Sequence, residues 1–116
     1  MVTRRDLHPG VQASQLVHAI AEFSVEYPDE FINWHDISNY VALLSVEDEE
    51  SLLKLANKLS DRGLSVSLFQ EPDLKNQYTS FTVEACDRAR KLTSSLPRAF
   101  REYDCVWNKM KEGMEV

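Results

Sequence analysis

The residues of this 116-residue chain that could do chemistry fall into stretches that are far apart in the sequence. His18 lies on a predicted helix, and histidine ordinarily titrates near neutral pH, as a general acid or base requires. Glu71 and Asp73 lie in one polar loop, where a carboxylate could hold an imidazole in one tautomer or position a water molecule. Thr79 begins a predicted strand, and its hydroxyl could donate a hydrogen bond to a developing oxyanion. These four side chains are the candidate catalytic groups.

Each of these residues also has an ordinary structural interpretation. A single histidine on a helix is more often structural than catalytic. An aspartate that follows proline is typical of a turn, and carboxylates in loops are commonly solvated. Threonine is common in strands because its branched side chain fits a pleated surface. The residue types alone therefore leave both interpretations open.

Other kinds of chemistry lack their motifs in this sequence. His8, His18 and His35 do not have the spacing of a zinc site, so we expect no metal. The Gly-x-Ser-x-Gly motif of serine esterases is missing. With three glycines in the chain, there is little material for a phosphate-binding loop or a dinucleotide fingerprint. We therefore expect no cofactor.

Composition limits the partners and the compartment. The net charge of −6 argues against broad, non-specific binding of nucleic acid, although a local basic patch remains possible. Cys86 and Cys105 form no Cys-x-x-Cys pair, and no signal peptide is recognised, so we expect reduced thiols in a cytoplasmic protein. No apolar run is long enough to span a membrane, and we expect none to be bound. The length fits one domain over residues 1–116.

Periodicity predicts the elements that must position the candidate groups. Apolar residues at spacings of three and four define one face of the first helix: Ala13, Leu16, Val17, Ile20 and Phe23. Strands are predicted over 1–5, 39–46, 64–69 and 78–85, and helices over 10–26, 28–34, 48–61 and 87–96. This order predicts an α/β fold, a three-layer α/β/α sandwich with a small four-stranded mixed sheet. Ligands in such sheets usually bind beyond the carboxyl ends of parallel strands, where residues 6–10 and 71–77 fall.

The segment after Pro97 carries a further helical pattern. Over residues 99–111, apolar and aromatic side chains recur at helical spacing: Phe100, Tyr103, Val106, Trp107 and Met110. We interpret this segment first as a C-terminal helix packed on the domain. The second interpretation is a surface for a partner, including a second copy of the chain in a homodimer.

Residues 10–19 resemble the Gly-Lys-x-Ala-Ala-Gln-x-x-His-Ala signature of the type II peptidyl-tRNA hydrolases. The matching positions are Gly10, Ala13, Gln15, His18 and Ala19. Residues 63–71 are similar to the Gly-Leu-Thr-Val-Ser-Leu-Ile-Gln-Asp segment of that family, and residues 46–52 loosely resemble its acidic helix start. The resemblance covers about residues 3–96. Val11 stands where the family has a lysine, and the loop 71–77 lacks the family's glycine and first threonine.

This resemblance implies an α/β/α sandwich and hydrolysis of the ester that joins a peptide to the terminal ribose of tRNA, without a metal. It implies that His18 is catalytic or positioning, that Glu71 replaces the family's loop aspartate, and that Thr79 is its strand threonine. The C-terminal segment over residues 97–116, which carries Phe100, Tyr103 and Trp107, lies outside it.

The expected partner is therefore tRNA or peptidyl-tRNA. Gln15 would help to position the ester, while Arg4, Arg5 and Lys75 would contact RNA phosphate. Valine at position 11 can neither bind phosphate nor polarise an ester, and Lys75 could restore the missing charge. The competing hypothesis is a binding or interaction module that retains the fold without the chemistry.

Overall fold

Strands and helices follow one another in the order that the sequence predicts. The computed structural model describes residues 1–100, so most of the predicted C-terminal helix over 99–111 lies outside the described residues. The elements are β1 (Val2–Arg4), α1 (Pro9–Glu26), α2 (Pro28–Ile37), β2 (Leu44–Val46), α3 (Glu49–Asp61), β3 (Val66–Glu71), a 3₁₀ turn (Pro72–Leu74), β4 (Gln77–Val83) and α4 (Asp87–Thr93).

The four strands form one mixed sheet in the spatial order β2-β1-β4-β3. β1 is parallel to β2, and β4 is antiparallel to both β1 and β3. β2, α3 and β3 therefore form the predicted strand–helix–strand unit with parallel strands, although β1 and β4 lie between the two strands. Helix α1 packs on one face of the sheet and α3 on the other, which confirms the predicted α/β/α sandwich.

The face of the sheet beneath α3 carries the apolar core. Phe81 of β4 and Val2 of β1 are fully buried there, against Leu52 and Leu59 of α3. Burial of such side chains supplies the main favourable free energy of folding.

The opposite face of the sheet, beneath α1, carries small hydroxyl side chains. The buried ones include Thr3, Ser45, Ser67, Ser80 and Thr82. Helix α1 meets this face with two amides, Gln12 and Gln15, which are each 3 % exposed, and with the apolar residues Leu16, Ala19 and Phe23. Val17, which the periodicity assigned to the buried face, is instead 65 % exposed. Because this face of the sheet is polar, Gln12 and Gln15 of α1 are buried against it, beside the positions where an apolar stripe was expected.

The strand predicted over 39–46 forms only over Leu44–Val46. The pairing with β1 begins at Val2 and Leu44, so the preceding residues have no neighbouring strand in the described part of the chain. The nearly unbroken apolar run over residues 39–46 is typical of a strand covered on both faces. Tyr40 and Val41 are instead 71 % and 49 % exposed, which corrects that expectation. On the outer edge of β2, Ser45 N–H donates to the carbonyl of Pro97, and Ala99 N–H to that of Leu43.

No helix within residues 1–100 has the length and apolar character that crossing a membrane requires.

Cys86 carries a free thiol at the surface, and its sulfur accepts a hydrogen bond from Ala89 N–H at the beginning of α4. Asp87 could have been the N-cap of α4 by its residue type, but it lies inside the first turn of that helix.

Candidate active site

Three of the predicted site residues form one hydrogen-bonded chain between β4, α1 and β3. The Thr79 hydroxyl donates to Oε1 of Gln15 at 2.6 Å. Nε2 of Gln15 donates to Oε1 of Glu71 at 3.3 Å. Residues that are remote in sequence thus meet beside the carboxyl end of β3.

An irregularity in the sheet aims Thr79 at α1. Phe69 pairs with Ser80, but Gln70 pairs with Tyr78, so Thr79 is an extra residue on β4. Such a bulge re-aims a side chain, and here the hydroxyls of both Thr79 and Ser80 reach Gln15. Strict alternation predicted Thr79 and Ser80 on opposite faces of the strand. That prediction is wrong because the bulge breaks the two-residue period.

Gln15 is held in one orientation by its surroundings. The Ser80 hydroxyl donates to the Gln15 backbone carbonyl at 2.6 Å, and the Thr3 hydroxyl donates to the Thr79 carbonyl at 2.9 Å. With Oε1 of Gln15 accepting from Thr79, its two amide N–H groups are the only donors left on that side chain. One of them faces Glu71, so the position of the Glu71 carboxylate depends on a residue inside the fold.

His18 lies one turn after Gln15 on α1 and is exposed. Its ring stacks on Phe69 of β3, with the ring centroids 4.5 Å apart and the planes within 13°. Phe69 and Glu71 point to the same side of β3 because side chains alternate along a strand. His18 and Glu71 therefore lie on the same side of β3, the side that faces α1. Phe69, which the sequence analysis did not select, fixes the plane of the imidazole.

Arg4 does not serve the role that the sequence suggested. Its guanidinium makes two hydrogen bonds to the Asp6 carboxylate, at 3.0 and 2.8 Å. The third nitrogen of the guanidinium, Nη1, donates to Oε1 of Gln77 at 2.9 Å and to the Tyr78 carbonyl at 3.2 Å. The hydrogen bond to Asp6 raises the pKa of Arg4 above its usual value. With a side chain 8 % exposed, Arg4 braces the loop before α1 against β4, and the expectation that it contacts RNA phosphate is corrected.

The other predicted site residues are exposed at the surface. Arg5 is exposed, with a distant ion pair of 3.9 Å to Glu47. Lys75 is exposed in the left-handed conformation, at φ 56°, in the turn that leads into β4. Asp73 lies exposed in the 3₁₀ turn, outside the chain that includes Glu71. Glu71 is thus the acid that the fold joins to Gln15 and Thr79.

Gln12 is a second residue that the sequence analysis did not select. It is buried, and its Nε2 donates to the Leu7 carbonyl at 2.7 Å, which ties the loop before α1 to the helix. Its helical spacing of three from Gln15 places both amides on one side of α1. That spacing is present in the sequence, but the buried face of α1 was predicted from the apolar residues beside it.

We expect Thr79→Val to lower the free energy of unfolding by about 1–3 kcal/mol, because it leaves Oε1 of Gln15 buried without a donor. Thr79→Ser keeps the hydroxyl and serves as the matched control, with a much smaller loss. Urea unfolding followed by circular dichroism measures both variants. Equal losses in the two variants would contradict this expectation, because they would show that the methyl group contributes as much as the hydrogen bond at this position.

The site has no ligand set for a metal, since no group of three or more His, Cys, Asp or Glu side chains within residues 1–100 could hold one. No protein-family model matches the chain, and no curated protein matches its sequence.

Proposed function

We propose that this protein is an ester hydrolase of the type II peptidyl-tRNA hydrolase kind, acting in the cytoplasm. Its reaction would be cleavage of the ester between a peptide and the terminal ribose of tRNA. The observation that carries the proposal is the Thr79–Gln15–Glu71 chain, with His18 one turn further along α1. These are the positions at which the sequence resembles that family.

In the proposed reaction, a water molecule beside His18 and Glu71 loses a proton to one of them as its oxygen attacks the ester carbonyl carbon. The ribose oxygen then leaves and takes up a proton, which yields free peptide and tRNA. A Gln15 amide N–H is the donor for the carbonyl oxygen as negative charge develops on it. Thr79 becomes a positioning residue, because its hydroxyl proton already goes to Gln15.

Substrate binding in this proposal uses the exposed cations at the same end of the sheet. Arg5 follows β1 and Lys75 precedes β4, and these two strands are neighbours. Their side chains would contact phosphates near the terminal ribose, with Lys75 supplying the charge that Val11 does not. A chain of net charge −6 would bind RNA through such local contacts and not through a broad basic surface.

The competing function is a binding module that retains the fold. Two observations favour it: Val11 carries no charge, and Gln15 and Thr79 are almost wholly buried. Under this alternative their hydrogen bonds are structural, and the surface beside His18 binds a partner without cleaving it. Homodimer formation through residues 99–111 belongs to this alternative as well.

Hydrolysis of a purified N-acetyl-aminoacyl-tRNA tests the proposal. We expect turnover by the wild type and a loss of about 10²-fold in His18→Ala, because a positioned general base contributes about that factor. His35→Ala is the matched control, since His35 is an exposed histidine on α2, and it should retain full activity.

Circular dichroism should confirm that both variants are folded. An inactive wild type would favour the binding module. Equal turnover by the wild type and His18→Ala would remove His18 from the mechanism.

A further inference from the structure

A cavity of about 390 Å³ lies at the end of the sheet opposite to the proposed active site. It is bordered by the beginning of β1 and the end of β4, and by residues of α1 that come after His18. Its walls are mainly apolar and aromatic: Ile20, Phe23, Phe31, Trp34, Tyr40 and Val41. Its volume falls within the range of about 300–1,000 Å³ that is typical of small-molecule sites.

A smaller, acidic cavity of about 230 Å³ adjoins it. The two cavities share a wall made by Trp34, Glu84 and Ala85. Asp29 and Glu30, from the first turn of α2, add two carboxylates to the smaller cavity. Glu84 is fixed in place, because its Oε1 accepts a hydrogen bond from Ser65 N–H at 3.1 Å. An apolar chamber thus opens beside a cluster of negative charge.

Two buried polar atoms at these walls have no hydrogen-bond partner within residues 1–100. One is the hydroxyl oxygen of Thr82, which lines the larger cavity and is only 5 % exposed. The other is Oε2 of Glu30 in the acidic cavity. Buried polar atoms are normally paired, and an unpaired carboxylate oxygen is especially costly. The Glu30 oxygen therefore favours a ligand that brings a donor to it.

Within residues 1–100, the positive groups that line the larger cavity do not neutralise these acids. The Met1 amino group donates to the Ala42 carbonyl at 2.9 Å, and burial lowers its pKa to about 6, so it is largely neutral at pH 7. The Arg90 guanidinium is paired with Asp87 at 2.8 Å. The carboxylates of the acidic cavity do not form a metal-binding group in the described part of the chain. An organic cation, which is larger and carries its own apolar surface, fits both cavities.

We propose that the two cavities together bind a small organic ammonium ion that carries an aromatic or branched aliphatic group. The apolar group fills the larger cavity, and the ammonium group lies between Glu30 and Glu84. The Trp34 ring at the shared wall stabilises the positive charge through its π face. This site is separate from the proposed active site and does not depend on it.

Isothermal titration calorimetry of the full chain with 2-phenylethylamine tests this site, with 2-phenylethanol as the neutral ligand of matched size. We expect the amine to bind at least about tenfold more tightly, because only its ammonium group forms charge-assisted hydrogen bonds with the carboxylates. Glu30→Gln should weaken amine binding by about tenfold and leave the alcohol unaffected. Glu50→Gln, which removes an exposed acid on α3, is the matched control and should change neither.

Glu84→Gln is a second test of the charge and should also weaken the amine. Equal affinities for the amine and the alcohol would overturn the proposal, as would an unchanged affinity in a folded Glu30→Gln variant. Amine binding that is detected only after Tyr103→Ser and Trp107→Ser would mean that the chain's own C-terminal residues occupy the cavity, and that result would overturn it too.

Discussion

Phe81→Ala is expected to lower the free energy of unfolding by about 3–5 kcal/mol. Phe81 is fully buried on β4, a strand that lies between β1 and β3, and it packs against Leu52 and Leu59 of α3. Removing the ring takes away its transfer free energy and leaves a cavity between rigid elements that can close only in part. This is the largest effect on stability that we expect from a single substitution in the core.

Phe69→Ala is the matched control, because it makes the same chemical change at a partly exposed position on β3. It should cost about half as much or less, since less apolar area leaves water when this side chain folds. Urea unfolding followed by circular dichroism measures both. If Phe69→Ala proved as destabilising as Phe81→Ala, the face beneath α1 would contribute as much to stability as the apolar core.

Arg4→Ala is expected to cost about 2–3 kcal/mol, below the range for a fully buried ion pair because Asp6 is partly exposed. The substitution leaves the Asp6 carboxylate, Oε1 of Gln77 and the Tyr78 carbonyl without their donor. These three groups belong to the loop before α1 and to the beginning of β4. We therefore expect the same substitution to loosen the loops that border the proposed active site.

Arg5→Ala provides the control for charge. Arg5 is the neighbouring arginine, it is exposed, and its ion pair with Glu47 is long, so the loss should be about 0.5 kcal/mol or less. Chemical denaturation of both variants at one ionic strength measures the difference. Similar losses in the two variants would mean that Arg4 contributes through charge alone and not through its internal hydrogen bonds.

Local sequence signals determined most of the element order. The helix predicted over 48–61 is observed as Glu49–Asp61, where Oδ1 of Asp48 accepts a hydrogen bond from Ser51 N–H. That bond holds the pKa of Asp48 below its usual range. Gly63 adopts the left-handed conformation, at φ 81°, that was expected at the end of this helix. Ser45 could also have capped this helix by its residue type, but it is a buried residue of β2, and Asp48, which is nearer to the helix, is the cap.

The candidate site, too, could be predicted from the sequence only in part. The sequence brought Gln15, Glu71 and Thr79 together through their resemblance to one family, and the structure places these three in one hydrogen-bonded chain. It could not indicate that Thr79 would be a donor to Gln15, because that depends on a bulge produced by pairing with β3. Nor could it indicate the fate of Arg4, whose partners include residues from a strand remote in sequence.

The sequence by itself therefore determined the α/β class, the order of strands and helices, and the residue types available for ester chemistry. Periodicity, caps and turn residues act within a few positions along the chain, so they can be read without knowing the fold. Only the tertiary structure decided which face of the sheet is polar, why glutamines and not Val17 are buried beneath α1, and where the two cavities form. Those features depend on side chains from separate elements that share one space, and only the packing of the elements brings them together.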